Sequence, residues 1–273
     1  ERRGPAHSFA LALGSCVGPW ALLRQHVVGG AIVVPATAYI AWIVAALRAL
    51  HAASAHDGTG SGRALVVTLR DVKFHRMLTL TTPRACELML APASVAPAAE
   101  RGVASITCDG RVHATAAYSV ASGPATTTAN GGGGASHGVP SAHDEHSHVA
   151  TRAAAAERVV AQPYAIMGAQ GYAYGAAFAR LHEIRTRGDE ARAKLRPPPR
   201  ACSDDEAVAA LPCCPAALDA ALQLASFLDA NAGGGTPVAL DAFEWRGGAE
   251  ISESVARVAP GSAYPLFSRR PDF

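Results

Sequence analysis

The chain has 273 residues, of which 49% are hydrophobic and 17% are charged. This apolar content excludes a chain that is disordered throughout, and it is enough for one large domain or two smaller ones. The 24 basic and 22 acidic residues give a formal net charge of +2, which provides no electrostatic footprint for nucleic acid.

The six cysteines include no CxxC pair, and the adjacent Cys213 and Cys214 do not have a common zinc-ligand spacing. We therefore expect reduced thiols and an intracellular location, in the cytoplasm or inside an organelle. The first residues, ERRGPAHSF, do not open a signal peptide and include no initiator Met. We expect the chain to be a piece of a longer protein.

The first predicted element is a strand over residues 8–14. It is followed by 21 consecutive uncharged residues, Val27–Leu47, which is long enough for a membrane span. A glycine pair and Pro35 interrupt the first part of this segment, and proline suits the first turn of a helix better than its interior. We predict a buried core helix from about Pro35 to Ala52, with the membrane span as the alternative.

Antiparallel strands are predicted over residues 64–74, 85–91 and 104–120. The last of these segments contains Asp109-Gly110 between two strand-like runs, which is a strong hairpin signal.

Residues 122–150 have a different composition, with four consecutive glycines and few apolar residues large enough to bury. This composition indicates a flexible linker or a surface insertion. The segment also holds four histidines beside two acidic residues, so a metal site is an alternative. Ordering a mobile segment around a metal carries a large entropic cost, which favours a solvated linker.

The second half repeats the same kinds of element. The predicted elements are an aromatic stretch at 167–181, two strands within 181–196 that meet at Gly188-Asp189, a helix over 213–232 that starts near Pro215, and a strand at 236–247. Each half thus combines one apolar helix with antiparallel strands, a pattern typical of a sheet curled around a helix. The predicted fold class is α+β. The predicted domains are residues 1–121, a linker at 122–150, and residues 151–273.

Two polar groups stand out beside the two apolar helices. His26 precedes the first helix, with Gly30 and Pro35 following it. Asp219 lies in the second helix among alanines and leucines, with Gln223 four residues on, and residues at this spacing share one helix face. Apolar surroundings should raise the pKa of the carboxyl, which suits a general acid.

Three ordered motifs give a family resemblance. The sequence contains His26–Gly30–Pro35, then GYAYGAAF at 171–178, then Asp219–Gln223. These are similar to the HxxxGxxxxP, GYxYGPxF and DxxxQ motifs of the dehydratase domain in modular polyketide synthases and animal-type fatty acid synthases. A weaker match is RVHA at 111–114, which resembles the family's WxxHA strand. The resemblance covers residues 20–245 approximately.

The resemblance implies a double hotdog fold and loss of water from a β-hydroxyacyl thioester. The substrate would hang on the phosphopantetheine arm of an acyl carrier protein, in contact with neighbouring synthase domains. His26 would take the α-proton and Asp219 would protonate the leaving hydroxyl. Gln223 would orient the acid, and Tyr174 would lie beside it. Backbone amides near Gly30 and at the start of the Pro35 helix would stabilise the enolate-like carbonyl. No metal, nucleotide or flavin is implied, and a homodimer is left open.

The sequence departs from the family pattern at two motif positions. Ala176 replaces the proline of GYxYGPxF, and Cys214 replaces the histidine that commonly precedes Pro215. The second hotdog also looks short of its last strands. Two alternatives therefore stay open: a dehydratase-like isomerase, cyclase or product-template domain, and an inactive structural domain of a megasynthase.

Overall fold

The structure is a computed structural model, and its description covers most of the chain. The described residues are 5–13, 20–54, 63–96, 99–124, 156–188, 190–197, 199, 211–228, 236–237, 239–246, 253–257 and 267–268. The predicted linker lies outside them except for residues 122–124, where the backbone still belongs to a strand. The four linker histidines also lie outside the described residues.

Three α-helices are described. They are α1 (Ala36–Ser54), α2 (Pro163–Ala169) and α3 (Pro215–Gln223). The short helix α2 was not predicted. Two 3-10 helices flank the functional motifs, at Ala21–Gln25 and Leu224–Phe227, the second continuing directly from α3.

In the described part of the chain, fifteen strands form four antiparallel sheets. The strands are β1 (His7–Leu13), β2 (His26–Val28), β3 (Ala31–Ile32), β4 (Arg63–Phe74), β5 (Arg84–Ala96), β6 (Ala99–Cys108), β7 (Arg111–Pro124), β8 (Arg158–Val160), β9 (Tyr172–Tyr174), β10 (Leu181–Arg187), β11 (Glu190–Leu195), β12 (Thr236–Pro237), β13 (Ala239–Trp245), β14 (Glu253–Arg257) and β15 (Phe267–Ser268). The strand orders are β1-β5-β6-β7-β4-β13, β14-β11-β10-β8, β3-β2-β9 and β12-β15.

Helix α1 is a core helix, as predicted. Every residue from Ala38 to Val44 is buried, because the six-stranded sheet covers one side of the helix and α3 lies on another. Burial on this scale supplies most of the stability of the helix, since each large apolar side chain contributes about 1.5–3 kcal/mol. Within the described residues, no helix has the length and hydropathy needed to cross a membrane.

The second apolar helix has its own sheet. Ala220 on α3 and Leu224 and Phe227 in the 3-10 turn after it share a core with Ile184 on β10 and Ala193 on β11. Each of the two helices is thus covered by a separate antiparallel sheet, which is the arrangement that the predicted α+β double hotdog requires.

Two tight hairpins have left-handed central residues; the one at Asp109-Gly110 was predicted, and the one at Gly29-Gly30 was not. Asp109 and Gly110 have φ values of +52° and +72° between β6 and β7, and Gly29 and Gly30 have values of +58° and +83° between β2 and β3. Positive φ at both central residues is the type I′ geometry that matches the twist of the flanking strands. The glycine pair therefore reverses the chain at the end of β2, the strand that begins with His26.

The sheets do not keep the two halves of the sequence apart. β13, from the second half, pairs with β4 in the six-stranded sheet, and β9 pairs with β2. The two helices also meet, since the Thr37 hydroxyl donates to the Pro215 carbonyl over 2.9 Å. As a result, the second and third motifs come to lie beside His26. The division at residues 121 and 151 stays a prediction.

Candidate active site

The orientation of the His26 ring is set by the backbone. His26 is the first residue of β2, only 6% exposed, and its Nδ1 lies 2.8 Å from the carbonyl oxygen of Val33. A carbonyl can only accept, so Nδ1 must carry the proton in this contact. In the neutral ring, Nε2 then has a free lone pair directed away from the strand. This is the tautomer that a general base needs.

Two aromatic rings hold the imidazole from the GYAYGAAF segment. Tyr174 is paired with His26 across β9 and β2, with ring centroids 5.2 Å apart. The ring centroid of Phe178 also lies 5.2 Å from that of His26. Burial, and secondarily the charge of Asp219, raises the pKa of Tyr174, so its hydroxyl stays protonated beside the site. Tyr174, predicted to lie beside the acid, therefore contacts the histidine and is also near enough to Asp219 to be affected by its charge.

Asp219 lies on α3 with its carboxyl turned inward. The residue is 5% exposed, and burial raises the pKa of the carboxyl above its ordinary value. Interactions with His26 and with the Gln223 amide act in the opposite direction. The Gln223 Nε2 donates to Asp219 Oδ2 over 2.7 Å, so the helix spacing brings together the pair that the sequence indicated.

His26 and Asp219 meet although they belong to different halves of the chain. The Nε2 of His26 is 3.7 Å from Oδ1 of Asp219. This separation is longer than a hydrogen bond, and both side chains are buried. A basic nitrogen and a carboxyl oxygen therefore face each other in a buried site. Such a pair can take one proton and give another at adjacent atoms of a substrate.

The residue before His26 clamps the aromatic turn. The Gly175 N–H donates to the Gln25 carbonyl over 2.8 Å, and the Ala177 N–H donates to the Gln25 Oε1 over 2.9 Å. The turn is closed by the Phe178 N–H, which donates to the Gly175 carbonyl over 3.0 Å. Ala176, where the family has proline, is exposed, and these hydrogen bonds form the turn without the proline ring.

Gly175→Ala is expected to destabilise the protein by about 1–3 kcal/mol, the usual cost of an overpacked site. A Cβ at this position would lie 2.6 to 2.9 Å from the Oε1, Cβ and Cγ of Gln25. Urea unfolding checks this expectation. In a Gln25→Gly background the same substitution should cost clearly less, because all three clashing atoms are gone. An equal cost in both backgrounds would contradict the clamp.

The remaining predicted site residues, Gly30 and Pro35, lie in the backbone segment between His26 and α1. Gly30 is exposed in the hairpin turn, and Pro35 is buried immediately before α1. Cys214 is the N-cap residue of α3, and its carbonyl accepts from the amides of Ala217 and Leu218. Backbone geometry, not a side chain, therefore caps this helix where the family commonly has histidine.

Two residues that support the site, Gln25 and Tyr164, were not predicted from the sequence. Gln25 precedes His26 in the sequence, so its position near the histidine could have been predicted. Its contact with Gly175 could not, because that contact depends on the pairing of β2 with β9. Tyr164 lies on the unpredicted helix α2 and hydrogen-bonds Gln223. No local pattern indicates that contact.

The described residues contain no group of three histidine, cysteine, aspartate or glutamate side chains that could hold a metal ion. The described cysteines Cys86, Cys108, Cys213 and Cys214 are free thiols.

Two family models match the chain. A model of the polyketide synthase dehydratase domain matches residues 17–106, and one described as the polyketide synthase dehydratase N-terminal domain matches residues 142–256. The first match contains His26, and the second contains Tyr164, Asp219 and Gln223. A comparison with curated protein sequences finds no match.

Solved structures of dehydratase domains share the fold. The dehydratase domain from the CurF module of curacin polyketide synthase is 17% identical with a TM-score of 0.65, and the match covers 94% of this chain and 84% of that one. The dehydratase of PpsC from Mycobacterium tuberculosis, in complex with C12:1-CoA, is 18% identical with a TM-score of 0.59 over 92% of this chain and 81% of that one.

The curacin CurK dehydratase has been solved as two inactive mutants, one with a histidine replaced by phenylalanine and one with an aspartate replaced by asparagine. They are 18% and 19% identical to this chain, with TM-scores of 0.62 and 0.60. Both matches cover 94% of this chain, with 82% and 84% of the CurK chains. With both family models on the chain and this fold in common, the chain belongs to the dehydratase domains of polyketide synthases, and its fold is the double hotdog.

Proposed function

We propose that this domain removes water from a β-hydroxyacyl thioester carried on the phosphopantetheine arm of an acyl carrier protein, giving the α,β-unsaturated thioester. The observation that carries the proposal is the 3.7 Å separation of His26 Nε2 and Asp219 Oδ1 in a buried site. The loss of activity in CurK when a histidine or an aspartate is replaced supports it, because those are the residue types paired here.

His26 is proposed as the base. Its Nε2 takes the α-proton, and the electron pair of the broken C–H bond forms the Cα–Cβ double bond. An α-proton is a weak acid, so the reaction needs a positioned base at neutral pH. The hydrogen bond from Nδ1 to the Val33 carbonyl holds the ring in place while Nε2 becomes protonated.

Asp219 is proposed as the acid. As the Cβ–O bond breaks, Oδ1 gives its proton to the departing hydroxyl, which leaves as water. A carboxyl can do this only if it is protonated beforehand, and burial favours the protonated form. After the reaction His26 is a cation and Asp219 an anion. Transfer of one proton from His26 to Asp219 restores both, so the cycle needs no cofactor.

The thioester carbonyl gains negative charge during the reaction and needs hydrogen-bond donors. We propose that backbone amides near Gly30 and those of Ala36 and Thr37 at the start of α1 supply them, since the first amides of a helix have no partner within it. The next amide, that of Ala38, already donates to the Pro35 carbonyl over 2.9 Å. The acyl thioester bound by PpsC supports this class of substrate.

The decisive experiment is incubation with a β-hydroxyacyl thioester, both free and attached to a carrier protein, followed by mass spectrometry. Loss of water supports the proposal. An isomerised or cyclised product of unchanged mass would support the relatives that rearrange polyketides, and no reaction would support an inactive structural domain. Equal turnover of free and carrier-bound substrate would argue against a carrier docking surface. A chelator should leave turnover unchanged.

A further inference from the structure

The direction of the Gln223 side-chain amide is determined by its neighbours. The carbonyl oxygen of Phe178 lies 3.2 Å from Gln223 Nε2, and a carbonyl can only accept a hydrogen bond. The same Nε2 donates to Asp219 Oδ2 over 2.7 Å. Both amide protons are then used on one side of the group. The oxygen Oε1 faces the other way, 3.1 Å from the hydroxyl of Tyr164.

The direction in which the Tyr164 hydroxyl donates is also determined by its neighbours. Its hydroxyl oxygen accepts from the Leu181 N–H over 2.7 Å, so its own proton must point elsewhere. The nearer acceptor is Gln223 Oε1 at 3.1 Å, and the Phe178 carbonyl is at 3.4 Å. Burial raises the pKa of Tyr164, which keeps this donor protonated. The hydrogen bonds therefore run in one sense, from Leu181 through Tyr164 to Gln223.

The donor-to-acceptor direction of this series of hydrogen bonds decides which oxygen of Asp219 carries its proton. A protonated carboxyl has one O–H and one oxygen that only accepts. Because Gln223 Nε2 donates to Oδ2, that oxygen is the acceptor and the proton resides on Oδ1, the oxygen 3.7 Å from His26. With the amide reversed, Oε1 would accept from Oδ2–H, and the proton would face away from His26.

We propose that Tyr164 is a positioning residue that holds the Gln223 amide in the orientation which places the acidic proton of Asp219 on Oδ1. This rests on the proposed function, because the position of the proton matters only if Asp219 is the acid. Tyr164 does not touch the reacting atoms in this scheme. Because Tyr164 acts wholly through Gln223, an experiment can distinguish this positioning role from a general structural role.

A double-mutant cycle tests the proposal. Tyr164→Phe should lower kcat for dehydration about tenfold, a typical effect of one lost hydrogen bond at a buried site, with little change in KM. In a Gln223→Ala background the same change should alter kcat by less than about twofold, because the amide is already gone. A further tenfold loss in that background would overturn the proposal.

The matched control is Tyr118→Phe. Tyr118 is buried, whereas Tyr164 is partly buried, and the Tyr118 hydroxyl likewise makes a hydrogen bond, to Glu100 over 2.9 Å on the six-stranded sheet, away from α3. The Tyr118→Phe variant should lose about as much stability as Tyr164→Phe and keep the wild-type kcat. A tenfold loss of kcat here would show that a lost buried hydroxyl alone lowers turnover. If Tyr164→Phe folds poorly, the cycle is run in sucrose, which favours the folded state without replacing the hydrogen bond.

An infrared difference spectrum against Asp219→Asn gives a readout independent of turnover. In the wild type the carboxyl C=O of Asp219 accepts from Gln223, and Tyr164→Phe should move its stretching band to higher wavenumber as that hydrogen bond is lost. An unchanged band would overturn the proposal. If the wild type does not dehydrate any substrate, the proposed function fails, and the spectrum still reports whether Tyr164 controls the position of the proton.

Discussion

His26→Ala is expected to lower kcat for dehydration by roughly 10²-fold or more, with the fold kept and thioester binding largely kept. The imidazole supplies the only base in the proposed reaction, and Nε2 is the one ring nitrogen left free once Nδ1 binds the Val33 carbonyl. The measurement is single-turnover product formation by mass spectrometry, beside substrate binding and cooperative unfolding of the same sample.

His113→Ala is the matched control for this prediction. Both histidines are 6% exposed, and both place Nδ1 against a backbone carbonyl, that of Arg76 in the case of His113. His113 lies on β7 in the six-stranded sheet, and we expect its removal to affect stability and leave kcat within about twofold. Wild-type dehydration by His26→Ala would rule out the mechanism. Equal losses in both variants would indicate that the defect comes from folding.

The sequence could predict those parts of the fold that local chemistry determines. The Asp109-Gly110 turn is confirmed, because aspartate and glycine at a two-residue turn favour one backbone geometry. The predicted strand pair within 181–196 is also confirmed, since β10 pairs with β11 and Arg187 lies opposite Glu190. Helix α1 was read correctly because Pro35 indicates its start and uniform apolarity indicates its burial. Helix α2 was missed because it is seven residues long and is held by contacts outside itself.

The site depends on pairings that no local pattern contains. Only the resemblance indicated that His26 and Asp219 belong together. The structure supplies the physical reason: β9 pairs with β2, and the start of α3 binds the start of α1 through Thr37. Gln25 and Tyr164 act through side-chain contacts with distant residues. Such contacts appear only after the strands are in register.

Asp219→Asn should lower kcat by roughly 10²-fold or more, because the amide keeps the size of the side chain and cannot give up a proton as an acid. Asp109→Asn is the matched control. It makes the same change on an exposed hairpin turn where asparagine also tolerates positive φ, so kcat should not change. Wild-type turnover by Asp219→Asn would exclude Asp219 as the acid.

The same substitution has a second expected effect, on stability, with a sign set by the raised pKa. The unfolded carboxyl loses its proton near its ordinary value of 3.8, whereas burial keeps the native carboxyl protonated to higher pH. Between those two values the unfolded state binds fewer protons than the native state. The wild type therefore loses stability as pH rises, by at most about 1.4 kcal/mol per pH unit.

Asparagine does not titrate, so the unfolding free energy of Asp219→Asn minus that of the wild type should rise with pH from about pH 4 and level off above the native pKa of Asp219. Titrating groups that do not interact with Asp219 are common to the two proteins and cancel in the difference. Repeating the pair of measurements in a His26→Ala background isolates the part that comes from the interaction with His26. Urea unfolding at a series of pH values measures this difference in free energy. The pH at which the difference levels off should match the pH above which kcat of the wild type falls, because both report loss of the same proton. A difference that stays flat with pH would mean that Asp219 is ionised in the folded protein and cannot serve as the acid.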